Sequence, residues 1–326
     1  MRNANTTMHK VRLTHLEPGS IYYYRACFKP IVGRYTPYRV DFGDVVYSKT
    51  YSFKSVAATN LPVSCVIFND LHNKYPVFNR LCNGLGDRDY QFSIFNGDCF
   101  ADPAAQRNVV GALTVYNKGV SAHSRPALYI RGNHEIRGAF ARDFKTMFDY
   151  PDDEFFFAMT AGPVRFLFLD CGEDKSDDHS EYSGLNDFSG YRERQKAWLE
   201  TEVKSDAFKN AKYRILIHHI PLYNHNDRGV SVFSRTSWAP VLDLVPIDVA
   251  ISGHTHNYNF VPFKAAGNNY PVLIGGGPDS ERATVIVLSA TDKQLSIEVL
   301  NDRGEIVGKY EKLANKELKA TDKSAP

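Results

Sequence analysis

Cysteine is scarce and scattered in this chain: Cys27, Cys65, Cys82, Cys99 and Cys171 are the five among 326 residues, and no two form a C-x-x-C pair. An odd, unclustered set gives neither a disulfide framework nor a structural zinc site. Cys65 and Cys171 sit in apolar runs and read as packing residues, and Cys99, next to Asp98, reads as a buried thiol. An excess of one charge is also missing. The 39 basic and 37 acidic side chains leave a formal +2, which makes no electrostatic case for nucleic acid or an anionic membrane as partner. No run approaches the ~20 consecutive apolar residues of a membrane span. Residues 1–7 lack the apolar core of a signal peptide. No internal repeat is present. Core material, by contrast, is plentiful: 43% hydrophobic and 13% aromatic residues suit one large folded domain, or one with a small companion.

Residues 9–55 read as β structure only. Val11 and Leu13 alternate with polar neighbours, Leu16-Glu17-Pro18-Gly19-Ser20 turns the chain, residues 21–28 form an aromatic strand and 49–53 a last one. From Leu61 the pattern changes to strands alternating with helical stretches, which is α/β architecture. The strands fall at 63–68, 90–95, 127–130, 164–169, 214–217 and 247–251, with another run at 272–277. Helical stretches fall at 77–85, 104–120 and 191–203, the last turning Trp198, Leu199 and Val203 inward, with Trp198 as a core anchor. Polar residues 172–189 form a loop over the site, and 223–236 form a second. Strands at 283–289, 295–300 and 306–312 read as a meander closing a second sheet, with Asp302-Arg303-Gly304 as a hairpin turn. From Ala314 the tail is charged and expected to fray.

The chemistry collects at strand ends. Five of them finish in Asp70-x-His72, Gly97-Asp98, Gly132-Asn133-His134-Glu135, His219-x-Pro221 and Gly253-His254-x-His256. Open α/β sheets bind ligands at the carboxyl ends of their strands. On extended backbone, residues i and i+2 point the same way, so both members of a D-x-H or H-x-H pair reach one ion. Nitrogen and oxygen donors without thiolate suit Fe, Mn, Zn or Ni. Seven donors exceed one tetrahedral site and suffice for two ions sharing a carboxylate. Each piece alone has a plainer reading: Asp70 or Asp98 as a turn residue, His254 and His256 as loop histidines, Arg137 as a surface ion-pair residue. Only the set argues against coincidence.

The ordered set resembles the calcineurin-like metallophosphoesterase superfamily over roughly residues 61–278. The Leu16-x-Pro18-Gly19-x-x-Tyr22 pattern resembles the later strands of a fibronectin type III module, and with the His-x-Pro-Leu-Tyr of His219–Tyr223 and the terminal meander the chain looks most like bacterial purple-acid-phosphatase-like proteins. The resemblance implies a four-layer αββα sandwich at 57–313, a partial fibronectin-like β region at 1–56 and a flexible tail at 314–326. By motif position, Asp70, His72 and His256 would hold one metal, Asp98 would bridge, and Asn133, His219 and His254 would hold the other. The spacing to Pro221 selects His219 over His218, which is left as pocket wall or core. The purple enzymes carry a tyrosine three residues after the bridging Asp and lack the D-x-H histidine. Here that position is Ala101 and His72 is present, so the expectation is a non-purple metal pair without iron–tyrosinate colour.

The implied activity is hydrolysis of phosphate monoesters of small molecules or proteins, with two divalent or trivalent ions activating the attacking water. His134 would stabilise the transition state or protonate the leaving oxygen, and Arg137 would contact the phosphate. A phosphodiesterase on the same site is the alternative enzyme, and a binding module on the fold the non-enzymatic one. Half a sandwich in 1–56 leads us to expect a start cut into that module. The address is then cytoplasmic if the given start is real and exported if it is not. Substrate identity and oligomeric state stay open.

Overall fold

The computed structural model describes residues 8–314 and the backbone of 319–320. Its first part is three two-stranded antiparallel ribbons. Strand β1 (Ile21–Tyr24) pairs with β6 (Tyr51–Lys54), β2 (Cys27–Phe28) with β5 (Val46–Tyr47), and β3 (Ile31–Thr36) with β4 (Arg39–Phe42). The single aromatic strand expected over 21–28 is broken at Arg25-Ala26, and Val11 and Leu13 lie in exposed irregular chain. The Glu17 backbone N–H donates to Tyr22 Oη at 2.7 Å, which ties the turn at 16–20 to the strand that follows it.

Two large sheets follow. In the first, β7 (Val63–Phe68), β8 (Phe92–Asn96) and β9 (Ala127–Ile130) run parallel. They are linked by helices α1 (Tyr75–Gly84) and α2 (Gln106–Gly119). Strands β7 and β8 are buried almost throughout, as sheet covered on both faces requires. In the second, β10 (Phe157–Ala161) is antiparallel to β11 (Val164–Phe168), and β11 is parallel to β12 (Tyr213–Ile217). Between them in sequence lie α3 (Phe188–Glu202) and the short α4 (Asp206–Asn210). Helix α5 (Val232–Leu242) leads to β13 (Val249–Ser252), parallel to β12, and β14 (Asn259–Val261) closes the far edge antiparallel to β15 (Val272–Ile274). The meander β16 (Thr284–Ala290), β17 (Gln294–Asn301) and β18 (Ile306–Leu313) does not close this second sheet. Strand β16 pairs antiparallel with β7, so the meander extends the first sheet. A two-residue β19 (Lys319–Ala320) pairs with β18; the remainder of the expected tail lies outside the described residues.

Strand periodicity builds the layers. Phe166 and Phe168 on β11 face the first sheet, where Phe166 meets Phe92 edge-on at 5.9 Å. Leu167 and Leu169 turn the other way and pack with Leu199 of α3 and Trp238 and Leu242 of α5. On the outer face of the first sheet, Phe68 meets Phe78 of α1 at 5.3 Å and Phe95 meets Tyr116 of α2 at 5.4 Å. The result is the four-layer αββα sandwich. Helix α5 was not apparent in the sequence, where 223–236 reads as one loop; Ser231 caps it by accepting the Ser234 N–H. Edge strands β10 and β14 were also missed. Trp198 is half-buried and packs edge-on against Phe156 at 5.4 Å, an anchor as expected.

Candidate metal centre

The carboxyl ends of β7, β8 and β9 in one sheet, and of β12 and β13 in the other, open onto one crater. Close approach demands glycine there. A Cβ on Gly132 would stand 2.4 Å from Asp98 Oδ1, and one on Gly253 2.4 Å from Asp70 Oδ2. Asp70, His72, Asp98, His254 and His256 all adopt left-handed backbone, with φ between 42° and 70°. Such residues are strained by about 1–3 kcal/mol each and persist where the surrounding structure over-determines them, typically at functional sites.

Asp70, His72, Asp98 and His256 bring donor atoms within 4.8 Å of one another, and so do Asp98, His219 and His254. Asp98 belongs to both groups. Within the first, His256 Nε2 lies 3.6 Å from Asp70 Oδ1, and His72 Nε2 lies 3.1 Å from His256 Nε2 and 3.7 Å from Asp98 Oδ2. Within the second, His219 Nε2 is 3.0 Å from Asp98 Oδ2. Asn133 joins it, with Oδ1 2.9 Å from His254 Nδ1. All seven residues named from the strand ends therefore meet in one place.

Outer contacts aim these side chains. His219 Nδ1 donates to the Asn96 carbonyl at 2.9 Å, which leaves Nε2 as the free nitrogen, buried and without a hydrogen bond. Asp70 accepts the His254 backbone N–H at 2.9 Å, and Asp98 accepts that of His134 at 2.8 Å. The orphaned Nε2, the mixed nitrogen and oxygen donors and the shared carboxylate fit a pair of metal ions.

Charge follows geometry. Burial pushes the Asp70 carboxyl up to about 8, aided by Asp98 and opposed by His219. Burial alone would raise Asp98 too, but His219, His134 and His72 hold it well below the usual carboxylate range. Burial works against a charged His219, yet Asp98 and Asp70 outweigh it and raise the imidazole to about 10. Burial lowers His72 to about 4 against the pull of Asp98.

Two residues hold the site in roles the sequence did not assign, Asp102, which it did not single out, and Glu135, which it placed only in the strand-end motif. Asp102 Oδ1 lies 2.9 Å from His134 Nδ1, and His134 Nε2 points back to within 3.9 Å of Asp98 Oδ2. The only signal was a second aspartate four residues after Asp98. Glu135 is fully buried and accepts backbone N–H bonds from Asp98 (2.9 Å), Cys99 (2.8 Å), Phe100 (3.0 Å) and Gly132 (2.7 Å). It pins the loop after β8 to the loop after β9.

Arg137 stands outside the donor groups. Its Nε and Nη2 bind the buried Glu173 carboxylate at 2.8 and 2.7 Å, and it lines a cavity of about 710 Å³ with Ile136, Arg142, Tyr182, Leu185 and Phe188. Asp170, another carboxylate at a strand end, is not among the donors. It takes the Arg131 guanidinium at 2.8 Å and the Tyr191 hydroxyl at 3.1 Å. His218 is core, its Nδ1 donating to the Ile220 carbonyl at 2.8 Å, while His179 and His225 are exposed.

Comparison with known proteins agrees with this geometry. The family model described as calcineurin-like phosphoesterase matches residues 64–258. Uncharacterized proteins from two strains of Mycobacterium tuberculosis are 28% identical over 185 residues, which is 51% of this chain and 34% of theirs. The chain thus spans about a third of the length of the curated relatives it matches. A purple acid phosphatase from yellow lupin seeds superposes with a TM-score of 0.62 at 15% identity, covering 92% of this chain and 60% of that one. PhoD does so with a TM-score of 0.57 at 12% identity, covering 95% and 78%.

Proposed function

We propose that this chain, which belongs to the calcineurin-like phosphoesterase family, hydrolyses phosphate monoesters with a pair of metal ions. The observation that carries the reading is the sharing of Asp98 between two donor groups in one crater. Asp70, His72 and His256 would hold one ion, Asn133, His219 and His254 the other, and Asp98 would bridge. Such a pair supplies a water acidified to a pKa of about 7 and screens charge on the phosphoryl oxygens. The donor chemistry admits Fe, Mn, Zn or Ni.

His134 is the catalytic residue that is not a ligand. Its Nδ1–H is held by Asp102, which orients the ring with Nε2 facing Asp98 and the crater. In the doubly protonated ring the Nε2–H stabilises the phosphoryl charge or passes its proton to the departing oxygen, leaving the neutral Nδ1–H imidazole bound to Asp102. Arg137 keeps Nη1 for a substrate oxygen while Glu173 holds the rest of the guanidinium. We read β1–β6 as the later half of a fibronectin type III-like module ending near residue 56. The Tyr22 corner supports this, as does its seat on the catalytic unit through the Tyr24 hydroxyl, which donates to the His123 carbonyl at 2.8 Å.

The test compares kcat/KM for p-nitrophenyl phosphate and bis(p-nitrophenyl) phosphate on manganese-loaded protein. A preference for the monoester supports the reading; a preference for the diester replaces it with a phosphodiesterase.

A further inference from the structure

His254 is gripped from three sides. Its backbone N–H goes to both oxygens of Asp70, at 3.0 and 2.9 Å. Its Nδ1 faces Asn133 Oδ1 at 2.9 Å. An ion held by Asn133 and His254 would meet Nδ1, the nitrogen beside Asn133 Oδ1, and Nε2 would stay on the far side of the ring. That nitrogen lies 3.5 Å from Oδ2 of Asp174, a residue of the 172–189 loop.

Asp174 is not a loose surface carboxylate. Lys175 Nζ lies 3.0 Å from its Oδ1 and reaches Glu181 at 3.4 Å. The preceding Glu173 is fully buried against Arg137, at 2.7 Å. The backbone leading into Asp174 is tied to α3: Arg192 Nη2 donates to the Glu173 carbonyl at 2.7 Å and its Nε to the Cys171 carbonyl at 3.3 Å. A carboxylate so anchored, facing the second nitrogen of a metal-ligating imidazole, has the arrangement that orients the ring and raises its basicity as a ligand.

We propose that Asp174 is a positioning residue for His254 and ties the 172–189 loop into one of the two metal sites; this rests on the metal-pair reading above. The same loop walls the cavity through Glu181, Tyr182 and Leu185. The clasp therefore ties one wall of that cavity to a metal ligand.

The test measures Mn²⁺ binding to the full chain by competition with a chromogenic chelator, for wild type, Asp174→Ala, Asp174→Asn, His254→Ala and the Asp174→Ala/His254→Ala double variant. Asp174→Ala should weaken one of two ions by about 10–100-fold and leave the other unchanged. Asp174→Asn keeps an oxygen that accepts from Nε2–H and should recover most of the loss. In the His254→Ala background the Asp174 change should do nothing more. Equal weakening of both ions, no weakening, or an undiminished effect without His254 would each overturn the proposal. A wild-type chain that takes up no manganese would overturn the metal-pair reading and this inference with it. Two ions bound without ester cleavage would sink the proposed activity alone.

Discussion

His134 lies between two carboxylates, Asp102 at 2.9 Å from Nδ1 and Asp98 at 3.9 Å from Nε2. Its ring supplies no donor to either metal group. His134→Ala should therefore keep both metal ions and lose about 10²–10⁴-fold in kcat, as metal analysis and kinetics on one preparation would show. Loss of metal together with turnover would make the residue structural. The ligands themselves predict a proton balance. Asp70 is raised to about 8 and His219 to about 10 in the metal-free protein. Below those values each holds a proton that an incoming ion must displace. Metal affinity should therefore rise with pH between 6 and 8, by about tenfold per unit for each proton released. Calorimetry in buffers of different ionisation enthalpy would count those protons, and a pH-independent affinity would refute the assignment. At this scale the sequence showed what repeats in type and place, an Asp, His or Asn at a strand end. It hid what depends on backbone path. Asp102, Asp174 and Glu135 act chiefly through contacts spanning 32, 80 and up to 37 positions, which local spacing does not reveal.

Among the elements, the ones easily read were those whose burial writes a continuous apolar run. Strand β7 has its expected limits, and α1 and α2 begin and end within two residues of theirs. The meander was read as strands, but its partner was not. Strand alternation says which face is buried and is silent on which neighbour supplies the ladder. Strand β16 pairs with β7, far away in sequence, instead of with the second sheet. Helix α5 carries Pro240 and begins in a polar stretch, so its apolar side is not continuous enough to stand out. The turns after the strands are the elements on which the site depends most tightly. Gly132→Ala would place a methyl carbon 2.4 Å from Asp98 Oδ1 and 2.7 Å from His219 Cδ2. It should abolish loading of the metal pair while the far-ultraviolet circular dichroism stays as in wild type. Wild-type metal content in this variant would show that the crater relaxes freely.

Across the whole molecule, two sheets of different connectivity present their strand ends to one crater, and Asp98 from the first stands 3.0 Å from His219 of the second. Loading the site thus links both halves of the sandwich, and metal should stabilise the fold as a unit. The position where a purple enzyme has its tyrosine is the exposed Ala101. Iron-loaded protein should accordingly show no tyrosinate charge-transfer band in the visible spectrum, and a purple holo-protein would contradict the ligand set. The most direct test of the two-ion account is monoester turnover by chelator-stripped protein as manganese is added back. The account predicts negligible turnover without metal, a rise on titration, and saturation at two equivalents per chain. Full turnover by the stripped protein, or saturation at a single equivalent, would contradict it.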